Sequence, residues 1–246
     1  MQDRDIEFPV RINRYLALKN FCTRREGDEW IKQGRILVNG KKAEIGMQIG
    51  ENDKVQVLAK QLAEAAKDRV YYTFNKPKGV LSHGPRADGE KMIEDFTKNL
   101  KKVVFPVGRL DKESHGLVIL TNDGRVTEKL LSPKYNHEKE YKVRVNKAVS
   151  QNFITRMMKG IKLEDGYITK QAFMKADVGA RAFSIVITEG KKHQIRRMCT
   201  ALGFEVQDLE RIRVGNIKVS GLKAGDLKLI QGKELKVFLK SLGMVK

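Results

Sequence analysis

The chain has 246 residues, 41% of them hydrophobic, enough for one large or two modest domains with an ordinary core. No apolar run approaches the roughly 20 residues that a membrane span needs, and the N-terminal MQDRDIEFPV lacks the apolar stretch of a secretory signal. Forty-nine Lys and Arg against thirty Asp and Glu give a formal net charge of +19, which favours a polyanionic partner; no basic amphipathic helix or lipidation motif argues for a membrane.

That surplus is uneven. Residues 1–68 carry a net +2 and residues 69–246 a net +17, so the second part is itself expected to face nucleic acid. Cys22 and Cys199 stand alone, with no CxxC or Cys/His spacing, which argues against a disulfide framework and a zinc site. A reduced, cytoplasmic protein is expected.

From the N-terminus, Ile12, Tyr15, Leu16 and Lys19 fit one helix with an apolar face. Thr23-Arg24-Arg25-Glu26 reads as a capping box that starts a second helix, which buries Trp30 and Ile31 and stops at Gly34. Ile36–Val38 follows as a strand, Asn39-Gly40 as a tight hairpin turn, and Val55–Leu58 as another strand. Two helices and a small sheet make a unit over residues 9–60. Arg24 and Arg25 lie in the first turn of the second helix, where the helix dipole gives cations no benefit. A phosphate drawn to the same helix start explains them better. Lys32, Arg35, Lys41 and Lys42 continue the basic patch around to the hairpin.

The Ala-rich segment around residues 61–67 reads as a linker, and a second domain spans 69–246. Strands are expected at Val70–Phe74, Gly116–Thr121 (with Asn122-Asp123-Gly124 as a turn), Tyr141–Val145 and Ala182–Thr188. Helices are expected at Ser150–Lys159, His193–Leu202 and Lys233–Leu242. The irregular alternation and the lack of a Gly-rich strand-to-helix loop argue against a doubly wound sheet. The expected class is α+β, with a mixed, largely antiparallel sheet and flanking helices.

Familiar catalytic motifs are missing: no GxxxxGK[ST], no HExxH and no GxSxG. His83, His115, His137 and His193 are scattered and read as surface or packing residues. Asp111, an acid flanked by Arg109 and Lys112 between two apolar strands, is the exception. By itself an Asp in a loop most often caps a turn. Tyr141, from its residues alone, reads as a core strand position.

Two resemblances give these residues weight. RINRYLALKNFCTRREGDEWIKQGRILVNGKKA resembles the small RNA-binding domain first known from a ribosomal small-subunit protein. GRLDKESHGLVILTNDG resembles the central motif of pseudouridine synthases. NKPKGV (Asn75–Val80), HEKEYKVRV (His137–Val145), GKKHQIRRM (Gly190–Met198) and LERIRVGNIKV (Leu209–Val219) extend that resemblance in order along the chain. With the small domain in front, the match narrows to the branch containing RsuA, RluB and RluF, and the EKEY and HQIRRMC wording is most like the RluF type.

The resemblance implies isomerisation of a uridine in ribosomal RNA, expected in the large subunit, with small-subunit RNA or a tRNA as the alternative. A non-catalytic RNA-binding protein is the rival from another class. The resemblance also implies that Asp111 is the catalytic residue, Tyr141 the active-site tyrosine, and Arg196 the cation paired with Asp111. On the helical wheel Arg196 lies about 100° from Ile195, at the edge of the stripe formed by Ile195, Met198, Cys199 and Leu202, whereas Arg197 lies further round. Lys76, Arg109 and Arg197 are expected to contact RNA, Arg109 by helping the target base leave its stack. The reaction has no redox change, so no metal and no other cofactor is expected, and the chain is expected to act as a monomer. A carboxylate suits a centre that becomes electron-poor as a glycosidic bond breaks. Whether it bonds to the sugar or removes a ribose proton stays open at this stage.

Overall fold

The computed structural model describes residues 6–19, 21–58, 69–132 and 135–245. They divide into two units, residues 1–70 with 123–126, and residues 71–122 with 127–246. The linker expected around 61–67 lies outside the described residues. Among the described residues no helix is long and apolar enough to cross a membrane.

In the first unit, strand β1 (Val10–Arg11) leads into α1 (Ile12–Leu18), and α2 (Arg24–Lys32) follows. The capping box is present: Thr23 Oγ1 accepts from the Glu26 amide at 3.1 Å, and the Glu26 carboxylate accepts from the Thr23 amide at 2.7 Å. Both bonds satisfy amides that a helix start leaves unpaired. β2 (Ile36–Val38) turns through Asn39 and Gly40, both at positive φ, into β3 (Lys41–Lys42). Two left-handed residues in a row make the turn whose twist matches the paired strands. β4 (Gln48–Ile49) pairs with β1, and β5 (Val55–Val57) with β2. Ile12, Leu16, Trp30, Ile31, Ile36 and Ile49 form the core.

The second unit is built on one sheet. Its strands are β6 (Tyr71–Lys76), β7 (Phe105–Val107), β8 (His115–Thr121), β9 (Lys139–Val145), β10 (Phe173–Lys175), β11 (Ala182–Ile187), β12 (Val206–Val214), β13 (Ile217–Lys218) and β14 (Leu227–Leu229). The order is β10-β11-β9-β12-β8-β6-β14, with β7 on β8 and β13 on β12. All pairs are antiparallel except β8 with β12. Helices α3 (Ile93–Thr97), α4 (Arg125–Leu131), α5 (Gln151–Lys159), α6 (Gln194–Ala201) and α7 (Gly232–Ser241) complete the described elements. The fold is therefore α+β with a mixed sheet, as expected. β7 is the apolar strand expected ahead of Asp111, and α3, α4, β10, β12, β13 and β14 were not expected. Most are short, and in β12 charged residues hide the alternation.

The parallel contact between β8 and β12 decides the position of the site. At its centre Gly116 lies opposite Arg211. A Cβ on Gly116 would run into the Arg211 carbonyl oxygen and reach its amide nitrogen at 2.9 Å, and φ there is +97°. Only glycine allows the two backbones this close.

Candidate active site

The loop between β7 and β8 carries Asp111, and buried polar bonds fix it from below. Lys76 is 0% exposed; its Nζ donates to the carbonyl oxygens of Pro77 at 2.9 Å, Val80 at 2.6 Å and Lys112 at 3.3 Å. Ser82 Oγ donates to the Leu110 carbonyl at 2.7 Å and accepts from the Leu110 amide at 3.0 Å. The Ser114 amide closes the turn onto the Asp111 carbonyl at 3.0 Å. With both neighbours held by the backbone, the Asp111 side chain has a defined direction. It stands at the mouth of a cleft of about 730 Å³ with 37% of its surface exposed.

Tyr141 from β9 and Arg211 from β12 form the floor of that cleft, directly opposite each other in the strand pairing, with Lys139 two residues away on the same face. All three are buried. Burial, with Arg211 nearby, pushes the Lys139 ammonium down to about 8, a shift that Glu189 only partly opposes. Burial likewise pushes Lys76 down to about 8 against the pull of Asp111 and Glu113. Residues 189–194 make the facing wall. Gln194 is buried, donates to Glu189 and accepts from the Lys191 amide at 3.0 Å. Glu189 also accepts from Tyr167 Oη at 2.6 Å and the Lys170 amide at 3.0 Å. Braced in this way, the wall presents His193, whose backbone is left-handed (φ 54°) and whose Nε2 lies 3.3 Å from Asp111 Oδ1.

Two sequence expectations need correction, the Arg196–Asp111 ion pair and Lys76 as an RNA contact. Arg196 forms no ion pair with Asp111: its Nη2 donates to Ser114 Oγ at 3.3 Å and its Nη1 to the Val206 carbonyl at 3.1 Å. The guanidinium leans inward from the edge of the apolar stripe, but the buried Ser114 hydroxyl lies in its path. Lys76 is sealed under the loop, with its donors committed to carbonyls, and offers nothing to a phosphate. Arg197 is already matched, with Nε 2.6 Å from Glu164 and Nη2 2.6 Å from Asp165. Lys32 pairs with Glu29 at 2.8 Å on the exposed side of α2, which reduces its pull on a phosphate.

Arg109 lines the cleft, exposed and without a polar partner among the described residues. In the first unit Arg24 and Arg25 are likewise exposed and unpaired among the described residues, as are Lys41 and Lys42 on β3; Arg35 is half-buried. Arg24 shares a groove with Arg11 and Arg14, which sequence reasoning passed over. It also missed Lys139, His193, Arg211, Ser82 and Ser114. A signal existed for two of these: Lys139 and Arg211 are charges at inward positions of alternating strands, in phase with Tyr141 and Leu209.

Comparison with known proteins identifies the family. Residues 70–201 match the family described as RNA pseudouridylate synthase, and residues 10–55 match the S4 domain. The chain is 42% identical over 229 residues to the dual-specificity RNA pseudouridine synthase RluF of Escherichia coli strain K12, covering 92% of this chain and 77% of that protein. It is 33% identical to the ribosomal large subunit pseudouridine synthase B of Bacillus subtilis strain 168, covering 92% and 94%. A crystal structure of a pseudouridylate synthase superposes with a TM-score of 0.67 at 26% identity, over 95% of this chain and 99% of the other. Asp111, Tyr141 and Arg196 all lie within residues 70–201, and the chain belongs to the RNA pseudouridylate synthase family, with an S4 domain ahead of its catalytic domain.

Proposed function

We propose that this enzyme converts one uridine of large-subunit ribosomal RNA to pseudouridine, with Asp111 acting on the ribose. The observation that carries the reading is that Asp111 and Tyr141 share one cleft, the carboxylate at its mouth and the aromatic ring on its floor. A uridine turned out of its stack brings C1′ to the mouth and its base to the floor. As the N1–C1′ bond breaks, the carboxylate offsets the electron deficit at the sugar. Tyr141 offers the base a flat face and a hydroxyl for the proton that leaves C5. Arg196 contributes through Ser114, by fixing the turn that carries Asp111. Arg109 meets RNA at the rim. Residues 9–60 act as the RNA-binding domain, with Arg24, Arg25, Lys41 and Lys42 on its outer face, and residues 69–246 as the catalytic domain.

The Escherichia coli and Bacillus subtilis relatives, by name, support RNA, and the second supports the large ribosomal subunit, as the target. A second reading, one further RNA substrate such as a tRNA, is favoured by the dual specificity in the first name. The test is incubation of the purified enzyme with protein-free large-subunit RNA, small-subunit RNA and bulk tRNA, each carrying tritium at uridine C5, which is released when C5 bonds to ribose. Release from large-subunit RNA by the wild type, falling to background in Asp111→Asn with RNA binding retained, is the expected result. Release from small-subunit RNA alone, or equal release by Asp111→Asn, refutes the reading.

A further inference from the structure

Arg211 is 5% exposed, yet its only hydrogen bond among the described residues runs from Nε to the Leu117 carbonyl at 2.7 Å. No described carboxylate lies within ion-pair distance of it. Arg211 lines the cleft, and its terminal nitrogens make no hydrogen bond among the described residues. Lys139 beside it is 8% exposed and makes one long bond, to the His137 carbonyl at 3.3 Å. Burial, with Arg211 nearby, lowers the pKa of the Lys139 ammonium, which cannot offset the guanidinium beside it. Glu189, which could have neutralised them, is committed to Tyr167, Gln194 and the Lys170 amide. A buried guanidinium without a counter-charge is strongly unfavourable, and such an arrangement persists where a ligand completes it.

We propose that Arg211, supported by Lys139, binds the oxygens of the target uracil and stabilises the negative charge that the base gains on leaving the ribose. This rests on the pseudouridine-forming reading above and adds a catalytic residue to it. The geometry sets the direction. Asp111 at the mouth must reach the ribose, so a base attached to C1′ points inward, along Tyr141, to the residue opposite Tyr141 in the β9–β12 pairing.

The electron count fits the same placement. When N1–C1′ breaks, the bonding pair stays with the base and its charge spreads onto O2 and O4, while Asp111 meets the deficit at C1′. After the base turns, C5 supplies the pair for the new bond to C1′ and its proton leaves. The guanidinium transfers nothing; it holds an oxygen before and after the turn. A fixed donor in a water-poor floor acts most strongly where charge develops. Phosphates belong to the RNA backbone and reach the rim near Arg109; only the base reaches the floor.

Single-turnover kinetics of Arg211→Met and Arg211→Lys test this, on protein-free large-subunit RNA made with uridine or with 5-fluorouridine. Consumption of the target nucleoside is followed by chromatography after digestion. Arg211→Met should slow uridine consumption about 100-fold with little change in the RNA concentration for half-saturation, and Arg211→Lys should recover part of the loss. Fluorine at C5 withdraws electrons and stabilises the base anion, so with 5-fluorouridine the loss should shrink to under about tenfold. Equal losses on both RNAs would show that Arg211 only supports the fold, and a loss confined to half-saturation would show a phosphate contact; either overturns the inference. If Arg211→Met fails to fold by its thermal melt, the ratio of losses on the two RNAs in Arg211→Lys decides in the same way. A wild type that forms no pseudouridine sinks the underlying reading, whereas an active wild type matched by Arg211→Met sinks this inference alone.

Discussion

His193 Nε2 sits 3.3 Å from Asp111 Oδ1, and it is the one ion-pair partner of that carboxylate among the described residues. The imidazole is brought there by a left-handed residue just ahead of α6, a conformation that ordinary side chains adopt at a penalty and asparagine adopts readily. His193→Asn should therefore fold as the wild type does, its stability changed by less than about 0.5 kcal/mol. It should lose about tenfold in kcat, because the carboxylate is no longer held in line with the ribose. Thermal melts beside single-turnover rates check this, and an unchanged kcat would leave the contact without a role.

On the proposed reading Arg196 acts on the turn that carries Asp111, through its hydrogen bond to Ser114, and not on the charge of Asp111. Arg196→Met should lower kcat yet leave the shape of the pH–rate profile as it was. A double-mutant cycle with Ser114→Ala should give a coupling of about 1 kcal/mol in stability, the worth of one hydrogen bond to a charged group beneath a loop. An acid limb displaced in Arg196→Met would restore the direct ion pair.

Lys76 and Lys139 tie stability to pH. Burial holds both near 8 in the folded protein, against 10.5 for a free lysine. Between about pH 8 and about pH 10.5 the unfolded chain binds more protons than the folded one, so these lysines make stability rise with pH across that window. Below it, both are charged in either state and the folded protein bears the full desolvation. Lys139→Met removes one contribution. Its stability relative to wild type should be highest below pH 8 and decline toward pH 10, as urea titrations at fixed pH would reveal. A difference constant across the range would contradict the burial of that charge.

Arg24 and Arg25 concern the address on the RNA. Replacing both with Ala should weaken RNA binding and flatten its log–log dependence on salt by somewhat under about 1 per lost phosphate contact. Saturating RNA should restore much of the turnover, since the cleft is untouched. An unchanged salt slope would assign the grip to the strongly basic second domain.

Where a segment's own chemistry decides its shape, the sequence was readable. Thr23 and Glu26 cap a helix wherever they occur in that spacing, and Asn39-Gly40 turns a hairpin without outside help. Most of the helices and the longer apolar strands of the second unit were legible for the same reason, to within a residue or two. β12 was not. Its charges at Asp208, Arg211 and Arg213 meet partners from distant parts of the chain: His115 for Asp208, the Leu117 carbonyl for Arg211, Glu138 and Glu140 for Arg213. Similarly, the helical wheel placed Arg196 toward the interior but could not reveal that Ser114, 82 positions earlier, would intercept it. The motifs pointed to Asp111 and Tyr141, which the fold brings to one cleft, whereas the unpaired charge of Arg211 exists only once the sheet is assembled.

The parallel seam between β8 and β12 also governs the order of events during synthesis. Its two strands are roughly 95 residues apart in the chain, which at typical bacterial and eukaryotic elongation speeds is about 5–20 s of translation. From the completion of β9 to the end of that interval both β8 and β9 have been made, but the strand that lies between them has not. Each has an open, apolar edge able to pair with a neighbouring nascent chain. A stalled or truncated product ending before Val206 should therefore aggregate instead of surviving as a partial enzyme, and the carboxylate at the cleft mouth meets Arg211 on its cationic floor only once β12 has been made.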